Sequence, residues 1–266
     1  MTTVRAAIER LGGLAIGGAD AARQLAGIFV RTVRGSIFGY RPKGEVVRQM
    51  YQVGNRSLAF VTFTIGFVGM VTVYQGCLQI KRTIGDLSQV GPELLKYFVN
   101  ESGPTLTALM LVTRVGAGIA AEVGSMVVTE QVDALRMCGV DPVDYLIVPR
   151  FLASLLMTVV LAIWGVLIAF LAGSVTAWTS YGVNPHLFLD VSKVSFGDVT
   201  VGLMKCFAYG AAIPVVSAYC GLNARGGSEG VGKATTAAVI GSSFAVVVLD
   251  FILSAVGMVF ILGDPA

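Results

Sequence analysis

Charged residues are scarce in this sequence. Only 13% of its 266 residues are Asp, Glu, Lys or Arg, whereas about a quarter are charged in an average soluble domain. Hydrophobic residues make up 55% of the chain, and its mean hydropathy is +0.78. Several uncharged stretches reach the ~20 residues that a transmembrane helix requires. The shortage of charge therefore excludes an ordinary soluble domain and predicts an integral membrane protein.

Histidine and paired cysteines are scarce too. The one histidine, His186, falls in a predicted loop without clustered partners, so we expect neither a metal site nor a bound cofactor. None of the four cysteines forms a CxxC pair, and we interpret them as small buried hydrophobic residues. They are Cys77, Cys138, Cys206 and Cys220. The sequence also offers no nucleophile with a base, which argues against an intramembrane lipid-modifying enzyme.

The first 56 residues form a basic segment that holds nine of the 19 Lys and Arg residues. Mainly apolar residues from Leu25 to Val33 follow the spacing of one helix face, and arginines occupy the opposite face. This pattern predicts an amphipathic helix in the membrane interface, with an ordinary solvated helix as the alternative. We interpret the N-terminus as retained, because the run at residues 11–19 is too weak for a signal peptide.

Five later stretches are apolar enough to span a membrane. They are predicted at about 57–80, 102–126, 151–179, 198–222 and 234–262. The predicted fold is an all-α integral membrane protein, with a transmembrane domain at 57–266 after the interfacial segment 1–56. Thirteen Lys and Arg residues fall on the side of the N-terminus and four on the opposite side. This bias predicts a cytoplasmic N-terminus and an extracytoplasmic C-terminus.

Small residues recur at every fourth position in two of these spans. They are Gly116, Ala120 and Gly124 in the second span, and Gly165, Ala169 and Gly173 in the third. Because lipid provides no hydrophobic drive for helix association, faces of this kind predict close helix packing.

The polar stretch between spans two and three predicts a short cytoplasmic helix. Thr129 can cap its start, Gly139 can end it, and Pro142 prevents its continuation. Such a helix would give a permease a rigid contact for a nucleotide-driven partner. An acidic-Ala-x-x-x-x-Gly spacing that begins at Asp133 loosely echoes the loop with which ABC importers dock their ATPases. A plain connecting helix is the competing interpretation.

Ionisable side chains inside the predicted spans are the clearest functional signal. Each costs about 2.5–3.5 kcal/mol on insertion scales and usually faces a partner or a wet cavity. Arg114, Lys205 and Asp250 are expected in the outer half of the bundle, where Asp250 could pair with either cation. Glu122 is expected near the cytoplasmic mouth or in a helix contact. These charges either border a lipid-binding cavity open to the outer leaflet or form a structural ion pair.

Two further interpretations concern the walls of the bundle and the class of transporter. Candidates for an acyl-chain cavity wall in span one are Phe60, Phe63, Phe67 and Val71, which could equally face bulk lipid. The intramembrane charges would also suit an ion-coupled secondary transporter. That alternative lacks an internal repeat, and five spans divide poorly into two halves.

A glycine-rich stretch at residues 227–234 nearly fits the phosphate-binding GxxxxGK[ST] loop. Ala234 stands where a hydroxyl is needed, and an apolar span precedes the stretch instead of a β-strand. We therefore predict a flexible cytoplasmic turn, with Lys233 at the membrane face.

Long motifs resemble one known family. TRVGAGIAAEVGSMVVTEQVDALRMCGVDP (113–142) and IVPRFLAS (147–154) closely resemble the MlaE/YrbE family of permeases of lipid (MCE-type) ABC transporters, as do GVGKATTAAVIGSS (230–243) and VLDFILSAVG (248–257). The resemblance runs over most of residues 50–262. It implies a homodimer in the bacterial cytoplasmic (inner) membrane, bound to two cytoplasmic ATPase subunits that would hold ATP and magnesium.

The same resemblance implies further partners and a coupling role for residues 129–142. The implied partners are phospholipid and an extracytoplasmic MCE-domain ring. A small cytoplasmic regulatory subunit is a further candidate partner, and no nucleic acid is expected to bind. The implied coupling helix would be seated on the ATPase, and the glycine-rich loop could touch it as well. Its candidate contact residues are Glu130, Gln131, Asp133, Ala134, Leu135, Arg136, Gly139, Asp141 and Pro142.

Overall fold

The chain is helical wherever the structure describes it. The computed structural model describes residues 20–37, 44–83, 90–184, 188, 190 and 193–260, and these ranges contain no strand, which confirms the all-α expectation. Seven helical segments follow one another in them. They are α1 (20–37), α2 (Glu45–Thr83), α3 (Val90–Val128), α4 (Gln131–Met137), α5 (Val143–Tyr181), α6 (Phe196–Leu222) and α7 (Gly227–Phe260).

Short π-helical turns interrupt three of the long segments. In α2 the turn Tyr51–Asn55 separates Glu45–Met50 from Arg56–Thr83. In α3 the turns Phe98–Ser102 and Val112–Gly116 separate Val90–Tyr97, Gly103–Leu111 and Ala117–Val128. α5 begins with the turn Val143–Ile147 and continues as Val148–Tyr181. A π turn widens one helical turn by a residue, so it rotates the faces of the helix that follows.

Five of the segments, α2, α3, α5, α6 and α7, are long and apolar enough to cross a membrane. This confirms the five predicted spans. Three of them exceed the prediction by ten residues or more, since α2, α3 and α5 each run for 39 residues. The additional turns lie at their more polar ends, at residues 45–56, 90–101 and 143–150, because helix hydrogen bonds continue beyond the apolar stretch that hydropathy detects.

Small residues bring the spans into close contact. α2 packs against α5, where a Cβ added to Gly69 would lie 2.6 Å from Ala169 Cα, and one added to Gly173 would lie 2.4 Å from Val73 Cγ2. α3 packs against α6, where a Cβ on Gly221 would lie 3.0 Å from the Ala120 carbonyl oxygen. The predicted small-residue faces are therefore packing faces between neighbouring spans.

The buried apolar side chains form two clusters at different levels of the bundle. One surrounds α3, α6 and the start of α5, with Leu111, Ile147 and Ile213 almost fully buried. The other joins α2, α5 and the start of α3, where the rings of Phe170 and Phe188 stack 5.0 Å apart.

α1 lies against the beginning of α5. Thr32 and Gly35 are buried, and the ring of Phe29 meets that of Phe151 edge-on at 6.4 Å. The predicted arginine face is exposed, but Phe29 is also 43% exposed, so the apolar face is narrower than predicted. The interfacial position of α1 stays a prediction. The interpretations of residues 11–19 and of His186 lie outside the described residues.

Candidate functional site: two charged clusters and a short exposed helix

An ion-pair cluster joins α3, α6 and α7. The fully buried ammonium of Lys205 lies 2.5 Å from Glu101 Oε2 and 3.1 Å from Asp250 Oδ1. Tyr209 and Thr105 donate hydrogen bonds to the same Asp250 oxygen, at 2.5 and 3.0 Å. One cation thus faces two carboxylates, and two neutral hydroxyl groups also donate to Asp250. The name outer cluster is used below for Glu101, Thr105, Lys205, Tyr209, Asp250 and Ser254, whose hydroxyl donates to Glu101 at 3.2 Å.

Polar contacts continue from the outer cluster towards the first turn of α6. Asn100 donates to Asp198 Oδ1 at 3.3 Å, and Lys96 Nζ lies 3.9 Å from Asp198 Oδ2. Asp198 also accepts the Ser195 backbone N–H at 2.9 Å, which closes a capping box at the start of the helix. The buried carboxylate of Asp198 therefore fixes the start of α6 against α3, and so positions Lys205 two turns further along.

A second charged group lies between α2, α3 and α5. Arg150 Nη2 lies 2.8 Å from Glu122 Oε2, and Arg150 Nη1 donates to the Leu146 carbonyl oxygen at 2.8 Å. Arg114 donates a short hydrogen bond to the hydroxyl of Ser57. Arg114, Glu122 and Arg150 line a pocket of 220 Å³, together with Arg56, which follows the π turn Tyr51–Asn55. The name inner cluster is used below for Arg56, Arg114, Glu122 and Arg150.

The structure separates charges that the sequence analysis grouped together. Of the two cations that could pair with Asp250, Lys205 does so, whereas Arg114 belongs to the inner cluster. Its expected place in the outer half of the bundle is wrong, because it contacts Ser57, at the predicted inner end of span one. Because α3 begins at Val90 and not at about residue 102, Arg114 lies further from the outer end of its helix than expected.

Glu101 is the main residue that the sequence analysis missed. It lies directly before the predicted start of span two at about residue 102. Glu101 and Thr105 are four residues apart and so share one helix face, with Asn100 beside them. The signal available in the sequence was this polar face at the outer end of a span, together with a lysine in another span.

Glu122 forms a helix contact with Arg150, which was one of its two expected roles.

The short helix α4 is exposed and closely connected to two spans. It ends as expected at Gly139, which has φ +74°. The Gly139 N–H donates to the Arg136 carbonyl and the Val140 N–H to the Leu135 carbonyl, the two bonds of a Schellman motif. Met137, at the last turn, is 90% exposed. With 7 residues, the helix is shorter than the stretch of about ten that the predicted cap at Thr129 and end at Gly139 define.

The start of α4 differs from the prediction. The Thr129 hydroxyl donates to the Ser125 carbonyl at 2.8 Å, so Thr129 belongs to the end of α3 and does not cap α4. Glu130 occupies the N-cap position with φ 60°, and its side chain makes no capping hydrogen bond. A reversal within two residues requires this left-handed conformation. After α4, Asp141 accepts the Val143 N–H at 2.9 Å and helps to start α5.

Two other predicted features are placed as follows. The side chains of Phe60, Phe63, Phe67 and Val71 lie on the outside of the chain and are 42%, 80%, 65% and 40% exposed. They line neither cluster, so their role as cavity walls stays a prediction. The predicted flexible turn at 227–234 is wrong, because these residues form the first turns of α7. The turn lies before them and contains Gly226 at φ +91°, while Lys233 pairs with Glu229 at 2.7 Å.

The described residues contain no group of three or more His, Cys, Asp or Glu side chains that could hold a metal ion. What they do contain is a five-span helical bundle with ion pairs inside it and a short exposed helix between two spans. This arrangement is that of a polytopic membrane protein. Residues 46–256 match the MlaE permease family, and the chain belongs to that family.

Relatives with similar sequences are named as transporter subunits. A probable ABC transporter permease of Synechocystis sp. is 36% identical over 232 residues, which cover 85% of each chain. A probable ABC transporter permease of Rickettsia felis is 33% identical, covering 79% of this chain and 81% of the relative. The chloroplastic protein TRIGALACTOSYLDIACYLGLYCEROL 1 of Arabidopsis thaliana is 32% identical, covering 86% of this chain and 67% of the relative. The chain is accordingly a permease subunit.

Proposed function

We propose that this permease subunit moves phospholipid between the cytoplasmic membrane and an extracytoplasmic MCE-domain partner, driven by a separate ATPase. The observation that carries the proposal is α4, an exposed helix held between two membrane spans by turns of only a few residues. The names of the ABC transporter relatives support the ATPase partner. ATP and magnesium would be bound by that partner.

The surface around α4 has the properties of a protein contact. Met137 is 90% exposed, and Tyr145 and Val140 are 45% and 37% exposed. Exposed apolar side chains in an otherwise polar segment commonly mark an interaction site. We therefore assign the ATPase contact to residues 130–142.

Contacts beside α4 would transmit a displacement of α4 to the membrane spans. The Arg150–Glu122 ion pair bridges the inner ends of α3 and α5 at 2.8 Å. Because both spans are also connected to α4 by short turns, a displacement of α4 would move them as a unit. The outer cluster ties α3 to α6 and α7 and would carry that shift towards the outer end of the bundle.

Lipid is the cargo that the surface supports best. α2 and α7 present large apolar side chains outward, including Phe63 at 80% and Phe251 at 76% exposure. One of the relatives bears the name of a lipid. In this proposal two copies of the chain associate in the bacterial inner membrane, with lipid held between them. The N-terminus faces the cytoplasm, where a small regulatory subunit could also bind.

An ion-coupled secondary transporter is the second candidate, and one observation favours it. Lys205 is fully buried between two carboxylates, an arrangement that suits a proton relay. The arginine expected to complete that relay lies in the inner cluster instead. Reconstitution of the purified chain alone separates the two classes, because the ABC proposal predicts no transport without ATPase.

The proposed function is tested by co-purification in mild detergent. The wild-type chain should retain an ATPase subunit and phospholipid. Met137→Glu places a charge on the proposed contact and should reduce ATPase recovery by about tenfold or more. Gln24→Glu adds the same charge to an exposed position of α1 and serves as the matched control. Equal recovery of the ATPase with both variants, or no ATPase with the wild type, would overturn the assignment.

A further inference from the structure

The pocket of the inner cluster has more cations than the residues around it neutralise. Arg56, Arg114 and Arg150 come from three different spans and line one pocket of 220 Å³. Glu122 is the only carboxylate in its lining, and that carboxylate pairs with Arg150. Within the described ranges, neither Arg56 nor Arg114 has an acidic partner within 4.0 Å. The pocket therefore has an excess of positive charge.

The hydrogen bonds of these arginines are incomplete as well. Arg114 has the Ser57 hydroxyl as its described partner. Arg150 is only 8% exposed, and its Nε is buried with no hydrogen-bond partner among the described residues. A buried donor without a partner costs about 1–3 kcal/mol, so it is rarely retained without a use. An acceptor that enters the pocket would relieve this cost and the repulsion between like charges.

The backbone is irregular at each of the three arginines. The π turn Tyr51–Asn55 ends just before Arg56, Val112–Gly116 contains Arg114, and Val143–Ile147 ends shortly before Arg150. π turns are rare and often mark functional sites, because they rotate side chains out of the regular helical order. Three such turns around one pocket indicate that its geometry is maintained by the fold.

We propose that this pocket binds a phosphate group. Guanidinium groups match phosphate oxygens in paired hydrogen bonds, and Gln49 and Gln52 add amide donors to the lining. A volume of 220 Å³ accommodates a group of this size. Basic pockets between spans on the cytoplasmic side commonly hold anionic lipid headgroups.

Two sources can supply the group, a phospholipid headgroup at the inner leaflet or free phosphate. The site goes beyond the proposed function, since binding there requires neither the ATPase nor net transport. A larger groove of 640 Å³ shares Glu122 and Arg150 with the pocket and extends to Gln131 of α4. A ligand in the pocket would therefore contact the Arg150–Glu122 ion pair, which lies beside α4.

The test uses the purified full chain in a phosphate-free, non-ionic detergent. Inorganic phosphate, phosphatidylglycerol and, as a phosphate-free lipid, diacylglycerol are titrated separately. Native mass spectrometry reports bound ligand, and the thermal unfolding midpoint reports stabilisation. The variants are Arg56→Gln, Arg114→Gln and their combination, with Arg82→Gln as an exposed control at the other end of α2. Arg56 is exposed and lacks a described partner, so its replacement should not impair folding.

The expected result is that phosphatidylglycerol binds and raises the midpoint, whereas diacylglycerol does not. Each single variant should weaken binding by about tenfold and the double variant should abolish it, with Arg82→Gln unchanged. Binding of phosphatidylglycerol alone identifies a headgroup site, and binding of inorganic phosphate as well identifies a site for the free anion. Absence of binding, or equal binding by the double variant and the wild type, would overturn the proposal. ATPase co-purification is measured on the same variants, so failure here leaves the proposed function untouched.

Discussion

Lys205 shows how a single charge can be held inside an apolar bundle. Its ammonium is fully buried, yet two carboxylates lie within 3.1 Å of it and two hydroxyl groups donate hydrogen bonds to Asp250. Breaking such a buried pair is costly because it leaves an uncompensated charge behind. The sequence analysis placed Arg114, Lys205 and Asp250 in the outer half of the bundle and left open which of the two cations pairs with Asp250. It could not choose between Arg114 and Lys205, since pairing across helices depends on the rotation of each helix.

Replacement of Lys205 by methionine tests the structural weight of the outer cluster. Lys205→Met leaves Glu101 and Asp250 facing each other without a cation, which should cost on the order of 3–5 kcal/mol. The purified protein should lose several degrees or more in its thermal unfolding midpoint. Lys233→Met removes an exposed helical pair with Glu229 and should change stability by about 0.5 kcal/mol or less. Similar small shifts in both variants would show that the cluster does not stabilise the bundle.

Helices in this bundle approach as closely as their smallest residues allow. Periodic small residues in α3 and α5 predicted this correctly, because the fourfold spacing that defines a face is visible in the sequence. The four π turns were not predicted. A π turn changes the hydrogen-bond pattern by one residue and leaves no trace in composition, yet it decides where Glu101 and Arg114 point. Predicted spans that ignore these turns place charges on the wrong neighbours.

Gly69→Ala tests the close approach of α2 and α5. The added methyl group would lie 2.6 Å from both Cα and O of Ala169, so one helix must move. Overpacking of this kind typically costs about 1–3 kcal/mol, which the thermal unfolding midpoint should detect. Gly232→Ala is the control, since its added Cβ meets nothing within 4 Å and alanine favours the helix. Equal stability of the two variants would show that the α2–α5 contact tolerates a wider separation.

Gly139 tests the end of α4 through its backbone alone. Its φ is +74° and no atom lies within 4 Å of an added Cβ, so a side chain acts only through conformational strain. Gly139→Val should destabilise the Schellman motif by about 1 kcal/mol or more, whereas Gly139→Asn should be tolerated. Hydrogen–deuterium exchange of the peptide that covers residues 131–140 should be faster with valine. If the valine and asparagine variants exchange alike, the left-handed turn is not what ends the helix.

At the scale of the whole molecule, charge is distributed along the bundle in a definite order. The outer cluster contains two carboxylates and one cation, whereas the inner cluster contains three arginines and one carboxylate. An excess of arginine at one end agrees with the cytoplasmic orientation predicted from Lys and Arg in the loops. Apolar stretches predicted the number of spans, and loop charges predicted their direction. They gave no information on the separation into two levels, which arises only when α3 is seen to begin at Val90.

The predicted orientation is tested by cysteine accessibility in intact cells. Cys138 is exposed after α4 and should face the cytoplasm, whereas Arg82→Cys introduces an exposed thiol at the opposite end of α2. Two single-cysteine variants are compared, and in both of them Cys77, Cys206 and Cys220 are replaced by alanine. The Arg82→Cys variant also has Cys138 replaced by alanine. A membrane-impermeant maleimide should label position 82 in spheroplasts. It should label Cys138 only after the membrane is permeabilised. α2 and α3 run in opposite directions along the bundle, so the two positions must lie on opposite sides. Labelling of Cys138 before permeabilisation would invert the orientation and would place the arginine-rich pocket at the outer leaflet.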